Sequence, residues 1–216
     1  MDSPHSGNRR NFLTSVGWLL DPPFNSNRNY SAPIGSEAAG AAFKDTWTFS
    51  EVDNVWHGEI AEKEPAIYEA ISASGITHGK GMKSYLIMMA VRLIEMKRVL
   101  KPTGSIYLHC DPTASHYLKM LMDAVFGKEN FKNEIVWCYA NAGRSKKKFA
   151  QKHDVILFYS KSEKYAWTDY RIPVSEAYLE SHYRQKDGKG RRCRIRVDAG
   201  KKRIYYPEDG MICNDW

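Results

Sequence analysis

The chain has 216 residues, 43% of them hydrophobic and 12% aromatic, which is enough to bury a sizeable core and too apolar for a disordered chain. No run approaches the roughly 20 consecutive apolar residues of a membrane helix, and the first 20 residues lack the charged, apolar and small-residue order of a signal peptide, so the reading is a cytoplasmic protein. The formal net charge of +7, from 32 Lys+Arg against 25 Asp+Glu, is compatible with an anionic partner.

That charge is unevenly placed. Residues 1–140 carry 14 basic and 15 acidic side chains, residues 141–206 carry 18 and 7, and the last ten carry 0 and 3. The basic segment is interleaved with aromatics such as Phe149, Tyr165, Trp167, Tyr178, Tyr183 and Tyr206, so it can both fold and neutralise phosphates. The bland alternative is a solvated face. Cys110, Cys138, Cys193 and Cys213 form no CxxC pair and read as ordinary reduced thiols.

In chain order, residues 1–13 read as a polar leader. "SVGWLL", Ser15 to Leu20, reads as a short buried strand that ends on Asp21. Residues 25–80 are rich in Asn, Ser, Gly and Ala and read as a long loop-like connection, with short helices around Phe43–Trp47 and Glu62–Ala73. "KSYLIMMAVRLIEMKRVL" predicts a largely buried helix over 83–100, stopped by Pro102 and Gly104 of "KPTG". "SIYLHC", Ser105 to Cys110, is a second buried strand. Asp111 followed by Pro112 reads as an N-cap with proline at the first helical position, opening a helix that closes on Gly127.

A strand, helix, strand, helix order implies a parallel sheet. "EIVWCY" (Glu134–Tyr139) and "DVILFYS" (Asp154–Ser160) then read as a hairpin, an antiparallel edge on that sheet, around the basic loop "ANAGRSKKKFAQKH". Beyond Lys161, segments such as "RCRIRV" and "KRIYYP" between glycines read as a small, basic, β-rich appendage.

The chemistry sits in "LLDPPFNSNRNY", since sites in such folds lie just beyond the carboxyl ends of the strands. An ionised Asp21 only accepts hydrogen bonds, Pro22 offers a carbonyl and no N–H, and Phe24 offers a flat apolar face. Two rigid acceptors beside an aromatic suit a planar group bearing an NH2. Holding both amino hydrogens draws the nitrogen lone pair out of conjugation and makes it nucleophilic, and stacking on an aromatic adds about 1–3 kcal/mol toward holding a flipped base. By itself "DPPF" is also an ordinary turn.

In context the chain resembles the amino-methyltransferases of DNA, which methylate the exocyclic nitrogen of adenine or cytosine. The resemblance runs through "LLDPPFNSNRNY", "FKDTW", "RVLKPTGSIYLHCDPTASHYLKMLMDAVFG" and the hairpin "NEIVWCY" with "KHDVILFYSK", over roughly residues 16–161. The order of parts is similar to the beta-group enzymes of restriction and modification systems. It implies an α/β fold, a partial Rossmann-like methyltransferase sheet with an antiparallel hairpin edge, in a catalytic half-domain over 14–161. Residues 162–216 would begin the target-recognition region that follows the hairpin in that group.

Carried over by resemblance, Asp21 and Pro22 hold the amino group, Pro23 fixes the backbone and Phe24 stacks on the base. The implied donor is S-adenosylmethionine and the implied partner double-stranded DNA, with Asp at position 21 leaning toward adenine N6. Arg144, Lys146, Lys147, Lys148, Arg191, Arg192 and Arg194 are the candidate DNA contacts from the basic segment.

The chain departs from the family in one respect. The glycine loop after a strand that cradles the donor is not found; "GITHGKG", Gly75 to Gly81, precedes a helix and reads as a flexible loop. The expectation is a catalytic front half whose donor-binding half is supplied by a second fragment or subunit. The competing reading is a non-catalytic DNA-binding remnant or subunit; an enzyme for a different amide or amine is disfavoured by the basic appendage. His109, Cys110, Asp111 and His116 cluster in sequence, but without paired ligand spacing they read as structural rather than as a metal site.

Overall fold

The computed structural model describes residues 15–24, 28–31, 42–45, 51–140, 147 and 149–212. The described chain forms two compact units that divide after Ala166. Lys161 to Ala166 stay with the first unit because they lie along the start of a strand: the Lys161 N–H donates to the Gly104 carbonyl and the Ala166 N–H to that of Thr103.

The first unit opens with β1 (Ser15–Leu20), followed by a two-stranded ribbon of β2 (Arg28–Ser31) and β3 (Ala42–Asp45). The helix expected around Phe43–Trp47 is therefore a strand over 42–45, and Trp47 lies outside the described residues. The long connection is also more ordered than its composition implies. Residues 51–77 form α1 (Glu51–Lys63) and α2 (Pro65–Thr77), with Pro65 at the first position of α2, where its missing N–H costs nothing.

Next come α3 (Lys80–Val99) and β4 (Leu100–Cys110). The glycines of "GITHGKG" belong to the α2–α3 junction: Gly75 lies inside α2, Gly81 inside α3, and Gly79, at φ 112°, is the N-cap between them. The flexible loop expected there is a tight corner between helices. "KPTG" stops α3 but starts no loop, since β4 begins at once and carries an irregularity. Ser15 pairs with Leu100 and Gly17 with Ser105, so residues 101–104 bulge out of register. Pro102 cannot donate to a ladder and a Cβ on Gly104 would lie 2.7 Å from the Leu100 side chain, so both residues suit the bulge.

Asp111 does not cap the following helix as expected. Its carboxylate accepts the N–H groups of Thr113 and Ala114, closing a turn, and α4 (Ser115–Phe126) starts afterwards with Ala114 as N-cap. An aspartate competes well for local N–H groups, which delays the helix by a turn. Gly127 ends α4 at φ 92°. β5 (Phe131–Cys138) and β6 (His153–Ser160) form the hairpin.

The main sheet has the order β1-β4-β6-β5. Only β1 and β4 are parallel among the described strands; β4–β6 and β6–β5 are antiparallel. The sheet is thus mixed, because the hairpin makes up half of it rather than trimming its edge. α1 to α4 share one core cluster with a single face of this sheet: Ile106, Leu108 and Cys110 of β4 and Val155, Leu157 and Tyr159 of β6 are buried in it. Trp18 and Leu20 of β1 pack against the same cluster. Strand alternation sends Leu19, Tyr107, His109, Asp154 and Phe158 to the opposite face, where Leu19 is 74% exposed and Trp137 60%.

The second unit contains β7 (Arg171–Ile172), α5 (Glu176–His182), β8 (Gln185–Lys186), β9 (Arg192–Asp198), β10 (Lys201–Tyr205) and β11 (Met211–Ile212). β9 is the centre of an antiparallel three-stranded sheet between β10 and β8, and β7 pairs with β11. Among its described residues Tyr183 and Cys193 are the buried hydrophobic ones.

Candidate active site

β1 and β4 run parallel in the register Leu20 to Leu108, so the next residues, Asp21 and His109, reach the same rim of the sheet together. Pro22 and Pro23 lack N–H groups and cannot extend the ladder, which fixes the strand end at Leu20. β6 runs the other way, so its first residues, His153 and Asp154, start at that rim. The topology therefore gathers one side chain from each of three adjacent strands.

Their contacts form a line. The Nδ1 of His109 is 2.9 Å from Oδ1 of Asp21, and its Nε2 lies 3.5 Å from Oδ2 of Asp154. The second distance is within ion-pair range but beyond hydrogen-bond geometry, and Nε2 is buried without a hydrogen-bond partner. Phe24 meets the imidazole edge-on, with ring centroids 4.9 Å apart and planes at 82°. The Asp21 side chain is 73% exposed and Phe24 is half-buried, so carboxylate and ring are both accessible. Trp18 to Pro23 also line a cavity of about 420 Å³ with Met88, Met89, Arg92 and Met96 of α3.

Two neighbours are held protonated. Burial, and then Asp111, Glu134 and Asp154, push the Cys110 thiol up to about 12, so it is not a nucleophile at neutral pH. Burial and the adjacent Asp154 carboxylate raise the Tyr139 phenol above its ordinary value. The rim thus offers carboxylate acceptors, an imidazole and an aromatic face. Among the described residues no three His, Cys, Asp or Glu side chains converge as metal ligands.

The candidate DNA contacts fall into two groups. The hairpin loop leaves and rejoins the sheet at the Asp21 rim, where the Tyr139 N–H donates to the Lys152 carbonyl. Lys147 in that loop is exposed, and Arg144, Lys146 and Lys148 lie outside the described residues. The arginines of the second unit have internal partners. Arg191 pairs with Asp187 at 2.9 Å and lies over Tyr206, Arg192 donates to the Tyr183 and Leu179 carbonyls, and Arg194 donates to the Tyr178 hydroxyl. Each of these contacts occupies part of a guanidinium that charge counting treats as free.

The residue that reading by motif missed is His109. Its neighbours Leu108 and Cys110 are both core residues, and that alternation places His109 on the opposite face, while the β1–β4 register brings it level with Asp21. For the donor, the fit is poor in the first unit: among its described residues no glycine turn follows the carboxyl end of β1, β4 or β6, and the glycines of "GITHGKG" form the α2–α3 corner.

Comparison with known proteins supplies the rest. The family described as DNA methylase, the N6/N4 methyltransferases, matches residues 18–205. Over 108 residues, half of this chain, the sequence is 37% identical to the type II methyltransferase M.EcaI of Enterobacter cloacae, covering 24% of that protein. It is 36% identical over 80 residues to the type II methyltransferase M.KpnI of Klebsiella pneumoniae, 37% of this chain and 19% of the relative. Across 89% of its length it is 25% identical to the Mod subunit of the type III restriction-modification enzyme StyLTI of Salmonella typhimurium, covering 28% of that subunit. The chain spans about a quarter of the length of these relatives. With a family match running from β1 through the hairpin and into the second unit, the chain belongs to the DNA methylase family of N6/N4 methyltransferases.

Proposed function

We propose that this chain is the base-holding half of a site-specific DNA methyltransferase of the beta-group kind, which presents the exocyclic amine of a flipped adenine to S-adenosylmethionine. The observation that carries the reading is the Asp21 carboxylate at the carboxyl end of β1, exposed beside Phe24 and fixed by His109. The carboxylate and the Pro22 carbonyl accept the two amino hydrogens, the ring of Phe24 braces the base, and the nitrogen lone pair is left for the incoming methyl. S-adenosylmethionine supplies that methyl when bound. The donor's own pocket is assigned to a further half of the enzyme.

Two features support a second half. Among the described residues no strand pairs with the outer edge of β1, and the sheet face bearing Leu19 and Trp137 carries no helix. A strand that is parallel to its neighbour normally sits in a sheet covered on both faces. The Mod-subunit name of the StyLTI relative fits a protein that works in an assembly. The basic hairpin loop, with Arg144, Lys146, Lys147 and Lys148, contacts double-stranded DNA, and residues 162–216, framed by Arg191, Arg192 and Arg194, begin the target-recognition region.

The test measures methyl transfer to duplex DNA and DNA affinity, with the chain alone and joined to its donor-binding half. Asp21→Ala is expected to lower transfer at least on the order of a hundredfold while DNA affinity stays near wild type. Changing Lys146, Lys147 and Lys148 together to Ala weakens DNA binding and reduces its salt slope by roughly 0.9 per lost phosphate contact. DNA binding without donor binding by any assembly would establish the non-catalytic alternative.

A further inference from the structure

We propose that His109 is the positioning residue of this site: gripped between Asp21 and Asp154, it fixes the Asp21 carboxylate with Oδ1 engaged and Oδ2 left for the amine. The inference rests on the reading of Asp21 as the amine acceptor. Among the described residues Oδ2 has no hydrogen-bond partner.

The need for such a residue follows from exposure. A carboxylate that is 73% exposed at a strand end is free to change rotamer, and a site of this kind works only when its acceptor is held within about 0.5 Å of the productive place. Pro22 and Pro23 stiffen the backbone but leave χ1 and χ2 of Asp21 unrestrained. The bond from Nδ1 supplies the missing restraint.

The imidazole is itself restrained on three sides. Leu108 and Cys110 anchor its strand in the core, Phe24 meets its ring edge-on at 4.9 Å, and Asp154 lies 3.5 Å from Nε2. The Asp154 carboxylate in turn raises the pKa of the neighbouring Tyr139 phenol. One imidazole therefore sets both parts of the grip, the carboxylate and the ring that braces the base. A carboxylate cannot donate, so the hydrogen of the 2.9 Å contact is on Nδ1.

That assignment separates positioning from mere packing. The amide nitrogen of Asn branches from Cγ as Nδ1 of histidine does, whereas that of Gln lies one bond further out, toward the place of Nε2. In the chain labelled with 15N-histidine, His109 is expected to carry its proton on Nδ1, and Asp21→Ala is expected to move that nitrogen's resonance. A proton on Nε2 alone, or a resonance indifferent to Asp21→Ala, would overturn the proposal whether or not the chain transfers methyl groups.

In the assembly that transfers methyl groups, His109→Leu should lower kcat by about tenfold to a hundredfold with KM for DNA little changed, as expected for a misplaced acceptor. His109→Asn should recover most of that loss and His109→Gln should not. Equal kcat in His109→Leu and wild type, or equal loss in His109→Leu and His109→Asn, sinks the proposal. Loss of transfer in the wild-type assembly would instead sink the methyltransferase reading and leave the resonance measurement to decide the contact.

Discussion

The two units of this chain are stabilised in opposite ways. In the first, a continuous apolar cluster runs from Ile60 through α3, β4 and α4 to Tyr159. Polar contacts tie elements together around it, such as the Tyr159 hydroxyl on Asp123 and the Lys97 ammonium on the Val125 carbonyl. In the second, Tyr183 and Cys193 are the buried hydrophobics among the described residues, and the work passes to arginines: Arg192 on the carbonyls at the end of α5, Arg191 on Asp187 and over Tyr206, Arg194 on the Tyr178 hydroxyl. A unit of this size has little apolar area to bury, so polar fasteners count for more there. A basic residue is thus a different object in the two regions. In the hairpin loop it belongs to a connection between strands, and in the second unit it is part of the frame.

The largest expected effect breaks the core of the first unit. Leu118 of α4 is fully buried, and Leu118→Ala should cost about 2–5 kcal/mol, read as a lower midpoint in urea unfolding followed through amides of α4 and β6. Amides of β9 and β10 should keep their protection under the same conditions. Equal loss in both sets would mean that the units unfold as one, and the contrast would go. A smaller effect is expected from Arg192→Ala. Two guanidinium hydrogen bonds to the Tyr183 and Leu179 carbonyls, at 2.6 and 3.0 Å, are removed, at roughly 1.5–3 kcal/mol. Hydrogen exchange in α5 and β9 should quicken, and Arg192→Lys should not restore it, since an ammonium lacks the fork that spans two carbonyls. Unchanged exchange with weakened DNA binding would make Arg192 a phosphate contact instead.

What could be read from the letters follows the same division. β1 falls on Ser15–Leu20 as its apolar run predicts, because a strand flanked by a core and stopped by two prolines is written in local terms. α2 overlaps the short helix expected over Glu62–Ala73, whereas α1 was hidden by composition: Val55 is 63% exposed, so the helix shows no clean apolar stripe. The start of α4 was misplaced because Asp111 spends its carboxylate on a turn. His109 was grouped with its neighbours in sequence, while its partners Asp21 and Asp154 come from other strands. Only the register between β1 and β4 reveals the first of these, and only the antiparallel return of β6 reveals the second. For Arg191, Arg192 and Arg194, charge counting finds the cations but cannot find the carboxylate, carbonyls and phenol that hold them.

The mildest perturbation, acid, sharpens the comparison because it tests the frame of the second unit. Asp187 is partly desolvated, which by itself would raise its pKa. The N–H groups of Arg191 and Lys189, the Arg191 guanidinium and the Tyr206 hydroxyl outweigh this and hold the carboxyl at about 2, below the ordinary 3.8. A depressed folded pKa contributes stability that is complete above the unfolded value and is lost as pH falls through the folded one. The turn over 187–191 should therefore stay closed at pH 4 and loosen progressively toward pH 2, seen as faster exchange and shifted resonances of the Lys189 and Arg191 amides. Asp187→Asn should loosen the turn at neutral pH and remove the change between pH 4 and 2. Should the Asp187 carboxyl titrate near 3.8, Arg191 is not committed to it, and its guanidinium returns to the set free for phosphate.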